Sequence, residues 1–179
     1  MVNVVVIIGS MRENGNTQML ARRFAEGAEQ NNSVEVVSVS DYSVAPCNGC
    51  NSCYGSEGHR CCIDDDMGVI YDKLSKADVL VIASPVYFYG LSAAIKSIID
   101  RLHAPVRNTF PIRKLGLLLV AATDIPRLFD PIVLQYELAL DFFHLESIGI
   151  ITVGGVKDKG DIAGSEALDK AYRLGLSVK

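Results

Sequence analysis

The sequence predicts an α/β fold: a five-stranded parallel sheet in the order 2-1-3-4-5, doubly wound with helices on both faces. Three observations lead there. Short β-branched runs alternate with longer stretches of helical periodicity along the whole chain. The first run, Val2 to Ile8, is continuously apolar, the pattern of a strand covered on both faces. Strict strand-helix alternation implies parallel strands joined by right-handed crossovers, and the order 2-1-3-4-5 suits five such strands.

The elements follow in turn. Strand Val2 to Ile8 ends at Gly9-Ser10, and helix Thr17 to Gln30 sets Met19, Leu20, Arg23, Phe24 and Gly27 at helical spacing. Strand Val34 to Val39 returns to β-branched alternation. A helix near Met67 to Lys76, a strand Val79 to Ser84, a helix Ser92 to His103 and a strand Lys114 to Thr123 continue the pattern. The last elements are a helix near Pro131 to Phe143, opening on a first-turn proline, a strand Ser147 to Gly154 and a helix Ser165 to Leu176. A length of 179 residues suits one well-filled core, so a single domain over 1-179 is expected. The irregular stretch at about 41-63 is longer than a compact domain tolerates without a purpose.

Composition is that of an ordinary globular chain, 49% apolar and 21% charged. A formal net charge of -4, with no run of Lys or Arg, argues against nucleic acid as a partner. Apolar stretches such as Leu115 to Ala122 are too short to span a bilayer, and no charged region precedes the first apolar run, so no membrane role and a cytoplasmic location are expected.

In an open parallel sheet, ligands bind where the strand order reverses, so the loops after strands 1, 3 and 4 converge on one crevice. The first reads Gly9-Ser10-Met11-Arg12-Glu13-Asn14-Gly15-Asn16-Thr17. Unpaired amides at a helix start favour an anion, Ser10, Asn16 and Thr17 can add hydrogen bonds, and Arg12 can add charge. The loop is neither G-x-G-x-x-G nor a P-loop, which points to one monophosphate; ordinary capping by Asn16 or Thr17 is the plainer alternative. The second loop, Ser84-Pro85-Val86-Tyr87-Phe88-Tyr89-Gly90, carries three adjacent aromatics. These can pack beside a flat heteroaromatic ring or simply fill core.

All five cysteines lie between Cys47 and Cys62. In a reducing compartment such a cluster is more often a metal or redox site than a disulfide framework. Cys47, Cys50, Cys53 and Cys61 read C-x2-C-x2-C-x7-C, and four thiolates are what a [4Fe-4S] cluster requires. Structural zinc, a thiol/disulfide pair and plain thiols stay open as alternatives. Asp64-Asp65-Asp66 reads as first-turn capping of a helix, and Lys96 and Arg101 as solvated or paired surface charges, Arg101 also as an anchor for Asp100 or a subunit contact. His59, His103 and His144 show no ligand-like spacing.

The motifs Gly-Ser-Met-Arg-Glu-Asn-Gly-Asn-Thr, Pro-Val-Tyr-Phe-Tyr-Gly, Lys96 with Asp100-Arg101, and Gly160-Asp161-Ile162, taken in order, resemble the NADPH-dependent FMN reductase and iron-sulfur flavoprotein group of flavodoxin-like proteins. The resemblance implies a flavodoxin-like fold that binds FMN noncovalently. Ser10, Arg12, Asn16, Thr17 and Gln18 would hold its phosphate, and Pro85, Val86, Tyr87 and Phe88 would line its isoalloxazine. No side chain would be catalytic, since the chemistry belongs to the flavin N5. It also implies Cys61, rather than Cys62, as the fourth cluster ligand, because that position stands four residues before Asp65. The loop Thr123 to Pro131 departs from the family's Gly-rich stretch, which leaves the nicotinamide or substrate side undefined.

The implied function is an FMN-dependent electron-transfer oxidoreductase passing electrons between a [4Fe-4S] cluster and FMN. Its alternatives are a cluster-free NAD(P)H-dependent FMN or quinone reductase and a flavodoxin-type electron carrier. The implied partners are a small-molecule or protein electron donor and acceptor, such as NAD(P)H, a ferredoxin-like donor, a quinone or an oxygen species. A homodimer or homotetramer is expected.

Overall fold

The computed structural model describes residues 1–179. Its sheet is built on β1 (Asn3–Ile8), with β2 (Ser33–Ser38) on one side and β3 (Val79–Tyr87) on the other, followed outward by β5 (Lys114–Val120) and β6 (Glu146–Val153). All of these pair in parallel, with Val6 opposite both Val36 and Val81, and Leu118 opposite Ile151. Counting the parallel strands alone, this is the expected order 2-1-3-4-5.

A sixth strand departs from the expectation. The chain does not leave the sheet at Ser84; β3 runs on to Tyr87 and folds back through β4 (Gly90–Leu91), an antiparallel pair with Val86 opposite Leu91 and Tyr87 opposite Gly90. The aromatic segment is therefore a hairpin built on the sheet's carboxyl end.

The helices divide between the faces. α1 (Asn16–Ala28) and α5 (Glu166–Leu176) cover one face, where Leu20, Phe24 and Ala171 pack on Val4, Val6, Ile8, Val81 and Leu118. α2 (Met67–Leu74), α3 (Ala93–Arg101) and α4 (Asp130–Phe143) cover the other through Ile70, Leu74, Ile95, Ile98, Ile132 and Tyr136. Fully burying side chains such as Leu20 or Phe24 contributes about 1.5–3 kcal/mol each. None of the helices is long and apolar enough to cross a membrane.

α1 and α5 cross at two glycines. A Cβ on Gly27 would lie 2.1 Å from the Tyr172 carbonyl oxygen, and one on Gly175 would lie 2.1 Å from that of Phe24. Backbone meets backbone there, so neither neighbour has a flexible end to move aside. This crossing docks α5 against the helix whose first turn faces the crevice. Gly175→Ala is expected to cost more than about 2 kcal/mol, since overpacking between rigid elements forces the helices apart; chemical denaturation showing an unchanged midpoint would mean that the crossing is looser than described.

Candidate functional site

The carboxyl ends of β1 and β3 meet the start of α3. Gly9 N–H donates to Ala83 O at 2.7 Å, Ser92 Oγ donates to Gly9 O at 2.6 Å, and Ser92 N–H donates to Ser84 Oγ at 3.0 Å. A Cβ at Gly9 would sit 2.8 Å from Ile95 Cβ, so only glycine lets the strand end lie this close to the helix. The crevice floor is thus pinned by Gly9, Ser84 and Ser92.

Above this floor, α1 starts without a side-chain cap, and the amides of Asn16, Thr17 and Gln18 donate to no protein acceptor. Ser10, Asn16, Thr17 and Gln18 are all buried around this turn, and Arg12 is exposed at its rim. Ser10 Oγ accepts from Arg12 N–H at 3.2 Å, and Arg12 Nη1 donates to Lys157 O at 3.3 Å. Gln18 Oε1 accepts from Asn14 N–H, which holds Asn14 at a φ of 51°. Uncapped amides aligned with the helix dipole, beside buried hydroxyls, suit a phosphate.

Asn16 differs from its expected role. Its Nδ2 donates to Asp158 O at 2.8 Å, and its Oδ1 accepts from Gly160 N–H at 3.0 Å and Ile162 N–H at 3.4 Å. The amide is spent on tying the loop after β6 to the start of α1. Only its backbone N–H remains for an anion, and it does not cap the helix either.

On the other side of the crevice, Pro85 and Val86 are half-buried, and Tyr87, Phe88 and Tyr89 are exposed, Phe88 completely. Tyr87 and Phe88 are therefore not core filler. The hairpin turns through Phe88 at φ 48° and Tyr89 at φ 62°, two left-handed residues in succession as a type I′ turn demands. Bulky side chains pay roughly 1–3 kcal/mol each for that conformation, a cost usually met only where a protruding side chain has a use.

The cysteine loop is closed by a buried ion pair. Arg101, expected at the surface, is 1% exposed, and its guanidinium grips Asp65 at 2.7 and 3.1 Å and donates to Ala45 O at 2.9 Å. Asp65 in turn accepts from Ala45 N–H at 2.9 Å and Met67 N–H at 3.0 Å, and Asp66 accepts from Ser43 N–H at 2.7 Å. The two ends of the loop are thus knotted together and onto α3. The aspartates do more than cap α2, and only Lys96, paired with Asp100, is the surface charge that was expected.

Burial works against the Asp65 carboxylate, yet Arg101 and the two amides hold its pKa below the ordinary value. Burial and the charge of Cys61 push the neighbouring Tyr71 up to about 12. Its hydroxyl donates to Arg101 O at 2.7 Å.

Within the loop, Cys47 and Cys50 are exposed, Cys61 is half-buried against the core, and Cys53 is buried. Burial raises the Cys53 thiol, and the charges of Cys61, Cys50 and Cys47 add to the effect. Hydrogen bonds from Ser52 lower Cys50. No three ligating side chains converge on one metal position, however. Cys62, outside the expected ligand set, lies with its sulfur 3.8 Å from that of Cys50.

A cavity of about 890 Å³ runs between α3 and α4 over Leu80, Ile82, Leu115 and Leu117, and Leu91 of β4 also lines it.

The model of the NADPH-dependent FMN reductase family matches residues 2–160. The chain belongs to this family. An iron-sulfur flavoprotein from Methanocaldococcus jannaschii is 40% identical over 111 residues, 62% of this chain and 56% of that relative. An iron-sulfur flavoprotein from Archaeoglobus fulgidus is 30% identical over 97% of this chain and 77% of its own length. The matched stretch thus spans little more than half of the first relative. Among solved structures, the NAD(P)H:quinone oxidoreductase from Methanothermobacter marburgensis superposes with a TM-score of 0.71 at 16% identity, covering 98% of this chain and 96% of that one. That likeness establishes the shared flavodoxin-like fold.

Arg101→Gln is expected to destabilise the protein by about 3–5 kcal/mol, because it strands a buried carboxylate. The sign for Asp65 follows from its depressed pKa: its contribution is present above the unfolded value near about 3.9 and is lost as pH falls through the lower folded value. Asp65→Asn should flatten that part of the acid-unfolding profile; a profile identical to that of the unaltered protein would deny the clamp its role.

Proposed function

We propose that the chain binds FMN with its phosphate against the first turn of α1 and its ring system beside Pro85, Val86, Tyr87 and Phe88, and passes electrons through it. The observation that carries this reading is the uncapped turn: three free amides and the buried hydroxyls of Ser10 and Thr17 facing one crevice. Ser10 and Thr17 donate to the phosphate, Gln18 holds the loop shape, and Arg12 balances charge at the rim. Bound FMN supplies hydride and single-electron chemistry, and the protein supplies orientation and electrostatics. Pro85 and Val86 give the ring an apolar wall, and Tyr87 and Phe88 cover it from water.

The finer reading is an iron-sulfur flavoprotein in which Cys47, Cys50, Cys53 and Cys61 hold a [4Fe-4S] cluster that exchanges electrons with FMN. The C-x2-C-x2-C-x7-C spacing on a loop clamped at its base supports it, as do the names of the relatives. The absence of a converged ligand set favours the second reading, a cluster-free NAD(P)H-dependent FMN or quinone reductase. The donor is NAD(P)H or a ferredoxin-like protein, and the acceptor a quinone or oxygen species. A second copy is the expected occupant of the apolar face of α4, where Leu134, Leu138 and Phe142 are exposed at four-residue spacing; light scattering at the mass of a single chain would exclude that assembly.

Thr17→Ala should weaken FMN binding about ten-fold, the loss of one hydrogen bond to a charged group, and leave riboflavin binding unchanged. Equal losses for both flavins would move the phosphate elsewhere. Anaerobic purification with assays of flavin, iron and acid-labile sulfide separates the two readings: about four iron per chain beside FMN supports the cluster, and FMN without iron supports the cluster-free reductase.

A further inference from the structure

Five thiols are more than one four-ligand cluster uses, and the structure pairs the surplus one. Cys62 and Cys50 are both exposed, with sulfurs 3.8 Å apart, and theirs is the one thiol-to-thiol hydrogen bond in the loop. A disulfide bond is about 2.05 Å long, so the two sulfurs need to approach by less than about 2 Å. The backbone around Cys50 can follow. Gly49 sits at φ 71° with open space where a side chain would be, and Asn51 sits at φ 58°. Cys53 is buried, Cys61 is packed against the core, and the loop base is held by Arg101 and Asp65, so movement is confined to the exposed tip.

We propose that Cys50 and Cys62 form a reversible disulfide whenever Cys50 is not engaged by metal, with a low-molecular-weight disulfide as the oxidant. The Cys50 thiolate attacks one sulfur of the small disulfide and releases one small thiol, leaving a mixed disulfide on Cys50. The Cys62 thiolate then attacks the Cys50 sulfur, forms the internal bond and releases the second small thiol. Two electrons pass from the protein thiols to the small disulfide, and the two thiol protons end on the released thiols. The bond removes one member of the four-thiol set, so the oxidised loop cannot take up a cluster until the bond is reduced. Cys62 thereby decides between a loop open to metal and a loop locked without it. The pairing itself needs no cluster; only its effect on metal uptake rests on the four-thiol reading.

The test treats iron-free full-length protein with oxidised glutathione. Free thiols are expected to fall from five to three per chain, and a thiol reductant should restore them. Trypsin cleaves after Arg60, between the two cysteines, so the bond joins two peptides that mass spectrometry can identify. Cys61→Ser should keep that joined product, and Cys62→Ser should lose it. A dominant bond from Cys50 to Cys53 or Cys61, or mixed disulfides alone, would overturn the proposal. Iron assayed on protein purified without oxygen, before any iron is removed, reports on the cluster separately: a preparation that never binds iron ends the cluster reading and leaves the disulfide result standing.

Discussion

A guanidinium withdrawn from water needs an anion beside it, because an unpaired buried charge is strongly destabilising. Arg101 is held by Asp65 and by the Ala45 carbonyl, one partner from each end of the loop that carries every cysteine, and only its Nε–H is left without an acceptor. The long excursion between β2 and α2 therefore has a fixed base on α3 even though its tip holds no regular strand or long helix. Tyr71 reinforces the base from α2, and Arg60 adds a hydrogen bond to Gly68 O at 2.6 Å. Without the pair, the two ends of the cysteine loop would lose their common anchor on α3.

The sheet separates two kinds of work. The α1 and α5 face holds the uncapped first turn of α1, braced by the glycine crossing and by the Asn16 amide that draws in the loop after β6. The opposite face holds the cysteine loop against α2 and α3. The hairpin of β3 and β4 stands at the carboxyl end of the sheet.

The alternation of elements was legible in the sequence because each strand and helix carries its own periodicity, and the crevice followed from topology alone. What was hidden was non-local or unsignalled. Arg101 and Asp65 are 36 residues apart, and nothing near either one announces a buried pair. Asn16 sits in a turn rich in phosphate-binding chemistry, yet its partners lie more than 140 residues away. The fourth strand was missed because its turn contains neither Gly nor Asn at the two positions that need positive φ. Register within a motif points to Cys61, whereas the nearness of Cys62 to Cys50 arises from the path of the loop.

That same turn sets stability and use against each other. Asn-Gly at positions 88 and 89 would adopt the left-handed pair with little strain, so any selection for heat tolerance alone would drive the two aromatics out. With Phe88 and Tyr89 in place, the tip trades folding free energy for two exposed aromatic rings. A library screened only for folding would lose those rings first.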